Sequence, residues 1–383
     1  MLNGTELNIL FSQVFGYSAT DCGHRIGFLV DVPTQSSDDT KDWRERRELT
    51  MRWARSLAQT AHHACMVYAY ESVGRNNAEL VHPLHGIILT ENVPNTASEL
   101  NHHYGEIAEP EDVYSRAEFW IALTQYSATA PLKMAAARYG FKAATMPGFT
   151  LSMLPALSIN VNEIDARVTK LANALTQAHT AVLIFDVHGS SYELTLDLRY
   201  RLGFASSGRF TMNGQAGNLP SGEAYIVPYE GETLGILSSS SGILPIERDG
   251  EIALCEVSEN RVVCVDGANA WADELRQSVE LDPARANVAE LGLGVLGEWG
   301  IEAVGHILLD EKLALHIALG RSEHLGGVTS PSDFKSPSHV SHIDYVFHPR
   351  LMPDIRITKG ILMFDDGEVE FVSNDRYQYD RLN

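Results

Sequence analysis

Cysteine is scarce in this chain. There are four in 383 residues, Cys22, Cys65, Cys255 and Cys264, and no two form a CxxC pair. That excludes a disulfide framework and suits a reducing, cytoplasmic setting. Cys255 and Cys264 lie in neighbouring apolar stretches and are expected to be buried free thiols. Long apolar runs are missing as well. No stretch approaches the roughly 18 apolar residues of a membrane span. The opening MLNGTELNILFSQVFGYSATD lacks the basic and apolar regions of a signal peptide. Positive charge is in deficit, with 29 Lys and Arg against 50 Asp and Glu, a net charge of -21. A surface this acidic repels nucleic acid and anionic membrane, so neither is expected as a partner. There is no internal repeat, low-complexity tract or GxSxG elbow, although FDVHGSSYE gathers His188, Ser190 and Ser191. RDGEI and FDDGE read as ordinary turns.

What is present is globular: 44% hydrophobic and 21% charged residues, in a chain long enough for two cores. The predicted class is α/β. Residues 1–157 alternate strands and helices and are expected to form an N-terminal α/β domain. There, 41–61 reads as an amphipathic helix, 64–71 and 85–91 as buried strands, and 115–127 and 130–140 as helices. Residues 158–383 are expected to form an α+β domain with a largely antiparallel sheet. It opens on a helix at 162–180, with Asn162 as its cap, followed by strands at 181–189 and 192–201. From 222 the short runs EAYIVPY, EIALCEV, RVVCVDG, HILLD, LALHIALG, HIDYVF and GILMF read as strands, interrupted by a helix at 269–280.

Chemistry concentrates in this second half. Glu223 follows glycine in SGEAY, Glu290 lies in AELGLG, His316 in LALHIALG, and His342 and Asp344 in SHIDYVF. His342 and Asp344 are at i and i+2, so on a strand they share a face. Singly, each has a bland reading, as a turn residue or a satisfied core histidine. Together, three carboxylates and two imidazoles on apolar segments are costly to bury without a cation. Divalent ions turn that cost into binding energy. The doublets His62–His63 and His102–His103 read as structural.

The order NLPSGE, AELGLG, LLDEKLALHIALG, SHID resembles the M29 family of metallo-aminopeptidases, the thermophilic aminopeptidases. NEIDARVTKLANALTQAHTAVLIFDVHGSSYELTLDLR and DIRITKGILMFDDGEVEF resemble that family too, so the likeness covers about residues 160–375. The resemblance implies a metallopeptidase-like C-terminal domain and two divalent ions (zinc, cobalt or manganese) that share a water. Its metal ligands fall on Glu223, Glu290, His316, His342 and Asp344, with Glu290 bridging and catalytic. The implied substrate is a peptide with a free N-terminus, and the implied assembly a homodimer. One position departs. The family has a tyrosine seven residues after the histidine of HIALG, where this chain has Glu323. An ionised glutamate there cannot donate a hydrogen bond as a phenol does. A catalytic part for Glu323 would be that of a base or an extra ligand, suited to a specialised substrate. Two other functions fit the same scaffold. One is a peptide-binding accessory protein without turnover. The other is the related subgroup of ring-cleaving dioxygenases acting on dihydroxypyridines at a single iron, in which a histidine stands at the position of Glu290.

Overall fold

The strand Arg25–Val32, RIGFLVDV, is buried along all but its first residue, as a strand covered on both faces must be. It pairs in parallel with Ala64–Glu71 on one side and Phe119–Leu123 on the other. Lys142–Thr145 and Ala216–Asn218 extend the parallel run, and Leu84–Ile87 and Ile107–Ala108 add an antiparallel edge. The sheet has seven strands. Here a helix was expected at 115–127, but FWIAL within it is a fully buried strand. Five consecutive apolar residues carry neither the helical nor the strand period, and pairing on both sides decides the outcome. The helices Lys41–Thr60 and Thr129–Tyr139 form where the periodicity places them. Thr40 caps the first, accepting from the Trp43 amide at 3.2 Å.

The structure, a computed structural model, describes residues 2–80, 83–102 and 105–382. Its chain divides into two compact units, Met1–Glu163 with Gly208–Ser221, and Ile164–Ser207 with Gly222–Asn383. Segment 208–221 belongs to the first unit. Its strand Ala216–Asn218 pairs with Lys142–Thr145, which commits it to the first unit.

The second unit holds two sheets of eight and five strands, antiparallel throughout. Thr180–Val187 and Ser190–Asp197 form a hairpin whose turn residues, His188 and Gly189, have φ of 51° and 84°. This is the twist a two-residue turn needs, and it accounts for the gathering of His188 with the two serines. The helix before this hairpin runs Val161–Gln177. It is capped by Asn160, which accepts from the Asn162 amide at 3.0 Å, and not by Asn162. HILLD is a short helix, Ile307–Asp310, because the His306 ring accepts from the Leu308 amide. The strand Ser241–Arg248 was not foreseen; it pairs with Glu251–Ser258.

Cys255 is buried, but Cys264 is exposed, and all four thiols are free. Strand alternation turns residue 264 outward while Val265, opposite Cys255, faces in. His63 is buried and hydrogen-bonds Asn8 at 2.8 Å, a structural role. His62 and His102 are exposed, and His103 lies outside the described residues.

The five-stranded sheet carries the chemistry on one face. Its order is His342–Val346, Leu315–Gly320, Val288–Gly294, Glu223–Ile226 and Phe204–Ser206. The other face presents Ala224, Ile226, Leu291, Leu293, Ile317, Leu319 and Tyr345, all buried. Each large apolar side chain there stabilises the fold by about 1.5–3 kcal/mol. A register slip by one residue would turn that set to solvent, so the core fixes which residues look toward the site.

Candidate metal centre

The strand register brings the predicted ligands together. Glu290, Ala318 and Asp344 are paired across three strands, and His342 lies two residues along from Asp344. His316 pairs with Gly292, and Glu223 with Gly294. The floor between the charged side chains is thus glycine and alanine. Gly292 in particular has no alternative, since a Cβ there would lie 1.9 Å from His316 Nε2. The sequence AELGLG supplies a ligand and then the space for the neighbouring ligand's ring.

Glu290 is the hub. Its Oε1 lies 3.6 Å from His316 Nε2 and its Oε2 3.2 Å from His342 Nε2. His342 Nε2 also lies 3.2 Å from Asp344 Oδ1, and His316 Nε2 3.7 Å from Glu223 Oε2. Two groups of donor atoms result, Glu223–Glu290–His316 and Glu290–His342–Asp344, each with its atoms within 4.8 Å of one another. An ion with bonds of about 2.0–2.2 Å holds its ligands roughly 3–3.6 Å apart, so these spacings fit. Mixed imidazole and carboxylate donors suit zinc, cobalt or manganese. The first group is buried throughout; in the second the Asp344 side chain is 7% exposed, and His342, at 19%, is the most exposed of the five. The Nδ1 of His342 meets the Arg321 carbonyl at 2.7 Å. That contact fixes the ring with Nε2 toward the cluster, the usual outer support of a metal-binding histidine.

The electrostatics follow from burial and proximity. Burial opposes a charge on His342, yet Asp344 and Glu290 at its Nε2 hold its pKa up at about 11. Burial likewise opposes charging His316, and Glu290, Asp344 and Glu223 outweigh it, raising the pKa to about 9. Burial would raise Glu290, but the two imidazoles keep it well below the usual carboxylate range. Both imidazoles are therefore favoured in their protonated form by the carboxylates around them.

Glu323 stands apart from both groups. Its carboxylate is exposed and accepts from Arg321 Nε and Nη2 at 2.8 and 2.6 Å. The adjacent His324 comes closer, its ring edge-on to His342 with centroids 4.9 Å apart. Three more residues were not singled out from sequence. Lys312 is buried and pairs with Glu223 and Glu311. The run LLDEK before the histidine motif was the available signal. Burial raises Glu311 to about 8, since one ammonium does not offset two carboxylates. Tyr225 is two residues from Glu223 on the same strand, the alternation visible in GEAY. Burial, and then the charges of Glu223 and Glu290, push its phenol up to about 12. It stays protonated and can donate.

No family model and no curated protein matches this sequence. Solved structures do match in fold. The 2,5-dihydroxypyridine dioxygenase from Pseudomonas putida KT2440 superposes with a TM-score of 0.61 at 14% identity, over 99% of this chain and 98% of that one. AmpT from Thermus thermophilus, of the M29 family, superposes with a TM-score of 0.55 at 11% identity, over 98% of both chains. The fold is thus shared with both. No helix among the described residues is long and apolar enough to cross a membrane.

Proposed function

We propose that the chain is a metal-dependent amide hydrolase acting at the free N-terminus of a peptide. The observation that carries this reading is convergence. Five side chains marked by motif order alone, on four strands, meet around the shared carboxylate of Glu290. The shared fold with AmpT supports it. A bound ion would supply Lewis acidity toward a carbonyl and lower the pKa of a water. The chain's own residues do the rest. His342 is the most exposed of the five and holds Asp344, and Glu290 ties His342 to His316. Tyr225 offers a protonated phenol from the same face. Glu323 is engaged by Arg321 and directs its charge there.

The test is elemental analysis of the purified chain together with a panel of peptides, free or acetylated at the N-terminus. Metal should be found, and only free N-termini should be cleaved. His342→Ala and Asp344→Ala should lower metal content and melting temperature together, because ligand binding adds to folding stability. Full metal occupancy in both variants would sink the assignment. Binding of peptides without cleavage would favour an accessory role.

A second reading, oxidative ring cleavage at iron, is favoured by the TM-score of 0.61 to the dioxygenase. Iron in the purified chain and dioxygen consumption with 2,5-dihydroxypyridine would establish it over hydrolysis.

A further inference from the structure

Lys312 is buried beside the candidate ligands, and the ligand set alone does not explain it. Its side chain is 5% exposed, and its Nζ touches Oε1 of both Glu223 and Glu311. The other oxygen of Glu223 faces His316 Nε2 at 3.7 Å. The contacts run Lys312, Glu223, His316, Glu290, His342, Asp344, with basic and acidic groups alternating along them.

The backbone builds this position. Gly294 stands opposite Glu223 in the sheet. A Cβ on Gly294 would lie 2.5 Å from the Glu311 carbonyl oxygen and from the Lys312 carbonyl carbon. Only glycine lets the 311–314 segment pass that close. The segment is pinned there, since the Leu296 amide donates to the Lys312 carbonyl at 2.8 Å and the Gly294 amide to the Ala314 carbonyl at 3.1 Å. The ammonium is thereby delivered onto Glu223 with almost no path to solvent.

We propose that the Lys312 ammonium is the resident second cation of this centre. The chain then binds one divalent ion, on Glu290, His342 and Asp344, with Glu223 and His316 outside its coordination sphere. A dication on the free oxygen of Glu223 would lie a few ångströms from a fixed positive charge, where no water screens the repulsion. Among the described residues no lysine or arginine side chain is paired with Glu290, His342 or Asp344, and His342 is the most exposed of the five. The inference rests on the metal-centre reading above and replaces the expected pair of ions by one ion and one lysine.

The test is metal stoichiometry. The full chain is stripped with a chelator, reloaded with excess Mn²⁺ or Zn²⁺, desalted and assayed by plasma mass spectrometry. The wild type should hold about one ion per chain. Glu223→Gln, which keeps a side-chain carbonyl for the ammonium, should hold the same. Lys312→Met should rise toward about two, as Glu223 and Glu311 are freed to bind. Two ions in the wild type would overturn the proposal, as would any loss of metal in Glu223→Gln. A folded Lys312→Met that still holds one ion would overturn it too. If circular dichroism shows Lys312→Met unfolded, the wild type and Glu223→Gln decide. A wild type that binds no ion would instead sink the metal-centre reading itself.

Discussion

Tyr225 and Glu223 project from the same face of one strand, and Tyr225 pairs across the sheet with Gly292, which in turn pairs with His316. Position 323, where the resembled family places its phenol, carries a carboxylate engaged by Arg321. The phenol of Tyr225 is half-buried, stacked on Phe204 with centroids 5.5 Å apart, and held protonated up to about pH 12. Under the hydrolase reading proposed above, this phenol is the candidate donor to a developing oxyanion. Tyr225→Phe removes the hydroxyl and keeps the ring, so packing and metal content should not change. Losing one oxyanion donor costs about 10²–10³ in rate, roughly 3–4 kcal/mol. The expected result is a fall of that size in kcat on cleavable peptides, with KM little altered. A variant that turns over at the wild-type rate would show that the donor lies elsewhere, with His324 next to be changed.

The segment 321–330 is a loop element built around one buried carboxylate. Glu230 is 2% exposed at its side chain. It accepts from Ser322 Oγ, Val328 N and Thr329 Oγ1, each at 2.7 Å, and from Asn287 Nδ2 at 2.8 Å. The Thr329 amide donates at 3.3 Å, and Arg201, nearly buried and also paired with Glu232, lies at 3.2 Å. The loop so held carries Arg321, whose carbonyl orients His342. Glu230→Ala leaves several buried donors unpaired, while Arg201 keeps Glu232, and should cost about 1–3 kcal/mol in urea unfolding. A cost under about 1 kcal/mol would mean that the loop is held by other contacts. None of this network was legible in the sequence, because its partners are separated by up to 99 residues. The ligand strands were legible because i, i+2 spacing and glycine placement are local signals, as in SHID and AELGLG. Lys312 was missed for the opposite reason. Lysine is almost always exposed, and what makes this one different, Glu223, is 89 residues away. Helices with a clean amphipathic period, such as Lys41–Thr60 and Ala270–Leu281, were readable, whereas the unbroken FWIAL was not.

At the scale of the whole molecule, a net charge of -21 draws divalent cations to the surface at large. A binding experiment must therefore separate that atmosphere from the centre. Two properties do so. Surface attraction is screened over about 8 Å at physiological salt, whereas the buried groups are shielded from it. The centre must also exchange protons for metal. In the metal-free fold, His316 and His342 titrate at about 9 and about 11, above the free imidazole value of 6.5. Their raised pKa values contribute stability that is fully present below pH 6.5 and is lost as pH rises through 9 and then 11. At pH 7 both rings carry the extra proton, yet a metal ligand must be neutral imidazole. Loading at pH 7 should thus release about one proton for each histidine that becomes a ligand. Calorimetric titration of Mn²⁺ or Zn²⁺ in two buffers of different ionisation enthalpy, at 0.15 M salt, reads this number directly. With His342 alone as the imidazole ligand the value is close to one, and His342→Gln should abolish it. A slope of zero in the wild type would mean that the rings are already neutral at pH 7, and that Glu290 and Asp344 do not hold protons on this face.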